Sequence, residues 1–118
     1  MRRPRNLEQM VDEHIRTLAL TLRPSTIDQY RCTARRFLAY LQAAAPPLRR
    51  PSQLRRDPHL LGWFRALSEE QPALSNKTRI GHLVRLRRLL DDLAANGHRV
   101  PPDLICRADI PPELIDVN

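Results

Sequence analysis

Two stretches of this 118-residue chain set what it can fold into. One opens at Ser25-Thr26-Ile27-Asp28-Gln29-Tyr30 and runs to Ala45; the other opens at Ser75-Asn76-Lys77-Thr78-Arg79-Ile80 and runs to Asn96. Both repeat apolar residues at three- and four-residue intervals, the spacing that lines one face of a helix. In the first the stripe is Ile27, Tyr30, Ala34, Phe37, Leu38 and Leu41. In the second it is Ile80, Leu83, Val84, Leu86, Leu89, Leu90 and Leu93. No alternating apolar and polar segment is long enough for a strand, so the expectation is an all-α fold.

Breakers and caps divide the rest into helices. A first helix is expected from about Asn6 to Leu20, burying Leu7, Met10, Val11, Ile15 and Leu18 and turning Glu8, Asp12 and Glu13 outward. The second should start after Pro24, with Ser25 or Thr26 capping its free amides. Residues 46–57 form a proline- and arginine-rich connection. Asp57-Pro58 then reads as a cap followed by proline at the first helical position. The third helix should reach about Glu70, burying Leu60, Leu61, Phe64 and Leu67, with Trp63 in the core or at its edge. Ser75 should cap the fourth, and Gly97 stands where a left-handed C-terminal cap is wanted. From His98 the pairs Pro101-Pro102 and Pro111-Pro112 suggest a linker with one short turn at Asp103–Ile105. The division is a basic arm over 1–6, a helical domain over 7–97 and a proline-rich tail over 98–118.

The formal charge is +7, which makes a polyanionic partner the default expectation. Residues 23–45, 46–57 and 75–97 each sum to +3, whereas 5–22 and 98–118 sum to −1 and −2. Lys77 is the only lysine; the planar fork of arginine suits phosphate oxygens. Aromatic residues are 4% of the chain, too few for a platform that stacks single-stranded bases, so duplex DNA is the expected ligand.

On a helical wheel Lys77, Gly81, Arg85, Arg88 and Asp92 form a polar stripe bordered by Thr78. Gly81 in mid-helix costs roughly 1 kcal/mol relative to Ala. Close approach of a partner's backbone would justify it; packing against another helix is the alternative. On the second helix Thr26, Gln29, Thr33, Arg36 and Tyr40 share one edge, the mixture used for phosphate and base-edge contacts. The candidate DNA-binding set is therefore Thr26, Gln29, Thr33, Arg36, Lys77, Thr78, Gly81, Arg85 and Arg88.

The order Thr26-Ile27, Tyr30, Phe37-Leu38, Tyr40-Leu41, an acid-led helix, then Leu74-Ser75, Thr78, Leu83, Leu86-Arg87, Leu89-Leu90, Leu93 and Gly97 resembles the core-binding domain of tyrosine recombinases, the phage-integrase-like enzymes. The tail from Pro102 to Pro111 is similar to the segment that leads into that family's catalytic domain. The resemblance implies a four-helix, SAM-like bundle whose second and fourth helices meet the major groove of a recombination half-site. It also implies that the first helix contacts neighbouring protomers.

The family's tyrosine nucleophile and its supporting arginines, histidine and lysine lie in a C-terminal domain that this sequence does not contain. Tyr30 and Tyr40 belong in or beside the core stripe, and His14, His59, His82 and His98 are scattered without catalytic or metal-ligand spacing. The expectation is a non-catalytic module, whether an isolated domain, a truncated integrase or a stand-alone remnant. No cofactor, metal or small-molecule substrate is expected. Cys32 and Cys106 should be free thiols, and the absence of a long apolar run suggests a cytoplasmic location without a membrane span. The alternative is a protein-interaction bundle that joins or inhibits an intact recombinase through its first helix and tail.

Overall fold

The computed structural model describes residues 6–110, and among them the fold is an all-α bundle of four helices. Helix α1 spans Leu7–Leu18. The Asn6 side chain accepts from the Gln9 amide at 2.8 Å, while Gln9 Oε1 accepts from the Asn6 amide at 3.0 Å. This reciprocal capping satisfies two amides that have no partner within the helix. Leu7, Val11, Ile15 and Leu18 are buried, and α1 ends before Leu20, which is 83% exposed.

Helix α2 spans Pro24–Ala44 and corrects the expected cap. Arg23 occupies the cap position without a side-chain hydrogen bond, and Pro24 is already in the first turn. Its fixed φ suits a helix entry, so Ser25 and Thr26 lie inside the helix. Of the two matching starts in the sequence only Ser75 acts as a cap, its Oγ accepting from the Thr78 amide at 3.1 Å. That bond opens α4, Asn76–Ala95. Its far end closes on Gly97 at φ +94°. The Gly97 amide donates to Ala94 O and the His98 amide to Leu93 O, each at 3.1 Å, the paired geometry that favours glycine there.

A wide turn at Arg56–Leu60 leads into α3, Leu61–Ser68. The bond that closes this entry runs from the Arg55 amide to His59 Nδ1 at 2.9 Å. Trp63 is 1% exposed and meets Phe37 edge-on, with ring centroids 5.1 Å apart. Leu61, expected inside, is 36% exposed. Gly62 lets the Tyr40 hydroxyl come close; a β-carbon at 62 would collide with it.

The segment after Gly97 is packed rather than detached. Leu104, Ile105 and Ile110 are buried in the same core as the helices. Arg56 holds the segment with both arms of its guanidinium, donating to the Asp109 carboxylate at 2.7 and 2.8 Å and to Leu104 O at 3.1 Å. The Asp109 carboxyl is lowered below its ordinary pKa chiefly by that Arg56 contact. The linker reading therefore fails for the tail as far as Ile110, because its three apolar side chains find core partners. Residues 1–5 and 111–118 lie outside the described part, and with them most of the basic arm. No helix of the described residues is long and apolar enough to cross a membrane.

Candidate nucleic-acid interface

Helices α2 and α4 pack side by side in opposite directions. Tyr30 meets Arg88, and Thr33, further along α2, meets Arg85 and His82, further back along α4. The seam between them is where the candidate residues gather.

Its floor is polar and closed. Thr33 is 0% and His82 3% exposed. Arg85 Nε donates to Thr33 Oγ1 at 2.9 Å, and Arg85 Nη2 lies 3.4 Å from His82 Nδ1. The Thr33 hydroxyl is 2.8 Å from the same nitrogen. A guanidinium only donates, so His82 Nδ1 is the acceptor and the ring is neutral with its proton on Nε2. Burial, then the charges of Arg85 and Arg36, push the His82 pKa from 6.5 down to about 4. Burial also lowers the Arg85 pKa.

These contacts revise two members of the candidate set. Thr33 is fully buried and serves the fold, so it cannot touch a ligand. At Gly81 the nearest neighbour of an added β-carbon is the side chain of Arg85 in the same helix. The Arg85 guanidinium folds back over it, and a β-carbon there would stand 3.0 Å from Arg85 Nη1. Glycine at 81 leaves the Arg85 guanidinium room to lie close to the helix.

The rim carries the other candidates. Lys77, Thr78 and Gln29 are exposed and Thr26 is half-buried. Thr78 Oγ1 accepts from the Ser75 hydroxyl at 2.9 Å. Arg88 lies over the Tyr30 ring, 5.8 Å from its centroid, and also approaches Asp92 at 3.6 Å. Asp92 in turn receives His14 Nε2 from α1 at 2.7 Å. Arg36 is ion-paired with Glu70. Val84, expected in the core, is 43% exposed on the outward side of α4 between Lys77 and Arg88.

His82, Glu70, Tyr30 and His14 complete this arrangement with Asp92; of these five only Asp92 had a place in the polar stripe read from the sequence. For His82 a signal existed: it stands one residue before Leu83 and four before Leu86, on the buried side of α4. The His14–Asp92 and Arg36–Glu70 pairs had no local signal, because their members are 78 and 34 residues apart.

A second concavity of about 610 Å³ lies between α1 and α2. Leu7, Val11, Ile15, Ala34 and Leu38 line it, with Arg35 and Arg49 also on its wall. Among the described residues no group of three His, Cys, Asp or Glu side chains is placed to hold a metal ion. Comparison with protein-family models, with curated proteins and with solved structures finds no significant match to this chain.

Proposed function

We propose that this chain is a duplex-DNA-binding module that grips the phosphate backbone along the α2–α4 seam. The observation that carries the reading is that α2 and α4 are joined through Arg85, Thr33 and His82 and through Arg88 and Tyr30, and that the same two helices carry Arg36 and the exposed Lys77, Thr78 and Gln29. A helix about 10–12 Å across fits the major groove, which is about 12 Å wide. Cations and short polar side chains on the rim suit backbone oxygens and base edges. Arg85 adds to the field, but its hydrogen bonds inward make it a structural cation first.

The sequence resemblance to recombinase core-binding domains supplies the biological setting, site-specific recombination and DNA integration. In that setting the module positions DNA and leaves strand cleavage to another domain. The outer face of α1 meets neighbouring protomers.

Fluorescence anisotropy with a mixed-sequence duplex, at several salt concentrations, tests the reading. Lys77→Ala/Arg88→Ala is the informative variant, since Arg85→Ala would also break the buried Thr33–His82 node. Removing two phosphate-binding cations should lower the slope of log K against log salt by about two. Unchanged affinity and slope would reject this face.

The α1–α2 groove favours a second reading, a surface for another protein, because Leu7, Val11, Ile15, Ala34 and Leu38 lie in it among charged side chains such as Asp12 and Arg35. Under that reading partner binding survives Lys77→Ala/Arg88→Ala and DNA affinity is not required.

A further inference from the structure

Arg36 and Arg85 are held in contrasting ways. The Arg36 guanidinium is bound by the Glu70 carboxylate, with side chains 35% and 39% exposed. The Arg85 guanidinium is partly buried and bonds to two neutral groups, Thr33 and His82. No carboxylate lies within ion-pair distance of it among the described residues. The two cations are neighbours: Arg85 bonds to Thr33, and Arg36 stands three residues further along α2, one turn from Thr33 on the same side of the helix.

A partly desolvated guanidinium without a counter-ion is costly, and a nearby anion relieves that cost. Glu70 supplies half of what the pair needs, since its carboxylate engages Arg36 alone. A carboxylate and a phosphate offer a guanidinium the same planar pair of oxygens. We propose that Glu70 is an internal stand-in for phosphate. It occupies Arg36 in the free chain, and a DNA backbone phosphate displaces it to sit between Arg36 and Arg85.

This inference rests on the duplex-DNA reading of the seam and adds a single defined phosphate position with its own competitor. Binding then carries the loss of an intramolecular ion pair, and Glu70 tunes affinity without touching DNA. It also keeps the cationic seam partly neutralised until a polyanion arrives.

The test is anisotropy with a mixed-sequence duplex, comparing wild type, Glu70→Gln, Glu69→Gln, Arg36→Ala and the Arg36→Ala/Glu70→Gln double variant. Glu69→Gln removes the same charge one residue away, and no hydrogen bond or ion pair of its side chain enters the arrangement. Glu70→Gln should tighten binding about threefold to tenfold with little change in the salt slope, because the same phosphate is contacted in both proteins and only the competing ion pair is lost. Glu69→Gln should change affinity less than about twofold, the effect of distant screened charge. The double variant should match Arg36→Ala alone. Equal gains from Glu70→Gln and Glu69→Gln would overturn the stand-in, as would a gain that persists without Arg36, and both would leave DNA binding itself intact. No binding by wild type and Glu70→Gln at low salt would reject the DNA reading and this inference with it.

Discussion

The buried imidazole of His82 makes stability depend on pH in a window set by one residue. Its pKa falls from 6.5 to about 4 in the folded chain, through burial and the charges of Arg85 and Arg36. In the unfolded chain the ring titrates near its ordinary value of about 6.5. Between those values the unfolded chain binds a proton that the folded chain does not. Stability therefore rises with pH across the window and is lost as pH falls through it. At about 1.4 kcal/mol per pH unit the full effect is roughly 3 kcal/mol, a large share of the 5–15 kcal/mol typical of a domain.

Urea unfolding followed by Trp63 fluorescence, from about pH 7.5 to about pH 4, reads this directly. Of the stability wild type loses, roughly 3 kcal/mol should come from His82, and His82→Gln should show a slope shallower by up to about 1.4 kcal/mol per pH unit. His59, also lowered by burial and by Arg55, acts in the same direction and remains in both curves. The depressed Asp109 carboxyl contributes stability that is lost only at lower pH, through and below the ordinary carboxylate range. Parallel curves for wild type and His82→Gln would refute the argument.

Thr33→Val removes the hydroxyl that links Arg85 to His82, leaving Arg85 Nε without its acceptor and His82 Nδ1 with only the long contact to Arg85 Nη2. It should cost about 1–3 kcal/mol in urea unfolding, whereas a neutral effect would show the node to be dispensable. Arg56→Ala leaves Asp109, 15% exposed, without its guanidinium. Hydrogen exchange should then accelerate over residues 104–110 while the α2 and α4 amides stay protected. Unchanged exchange over 104–110 would mean that Leu104, Ile105 and Ile110 hold the segment unaided.

The fold was legible where periodicity and local chemistry agree. Ile27, Tyr30, Ala34, Phe37 and Leu41 fall on one stripe and are buried together. Ser75 and Gly97 perform the capping roles their residue types suggest. Legibility ended at contacts between distant segments. Ser25 and Thr26 look like caps, yet Pro24 had already begun the helix, because a fixed φ needs no cap bond. Pro101-Pro102 suggested a linker, yet Leu104, Ile105 and Ile110 join a core built from residues of all four helices. For the interface, the wheel grouped the exposed cations but could not show that Arg85 bends inward over Gly81. Nor could it show Glu70 reaching Arg36 from just beyond the end of α3.

The most direct test of the central claim is a map of amide chemical-shift changes as a mixed-sequence duplex is added at low salt. Shifts concentrated at Gln29, Arg36, Lys77, Thr78 and Arg88 are the predicted result, with Val11, Arg35 and Leu38 in the α1–α2 groove unmoved. Shifts confined to that groove, or none at all, would contradict the assignment of the α2–α4 seam as the DNA-binding face.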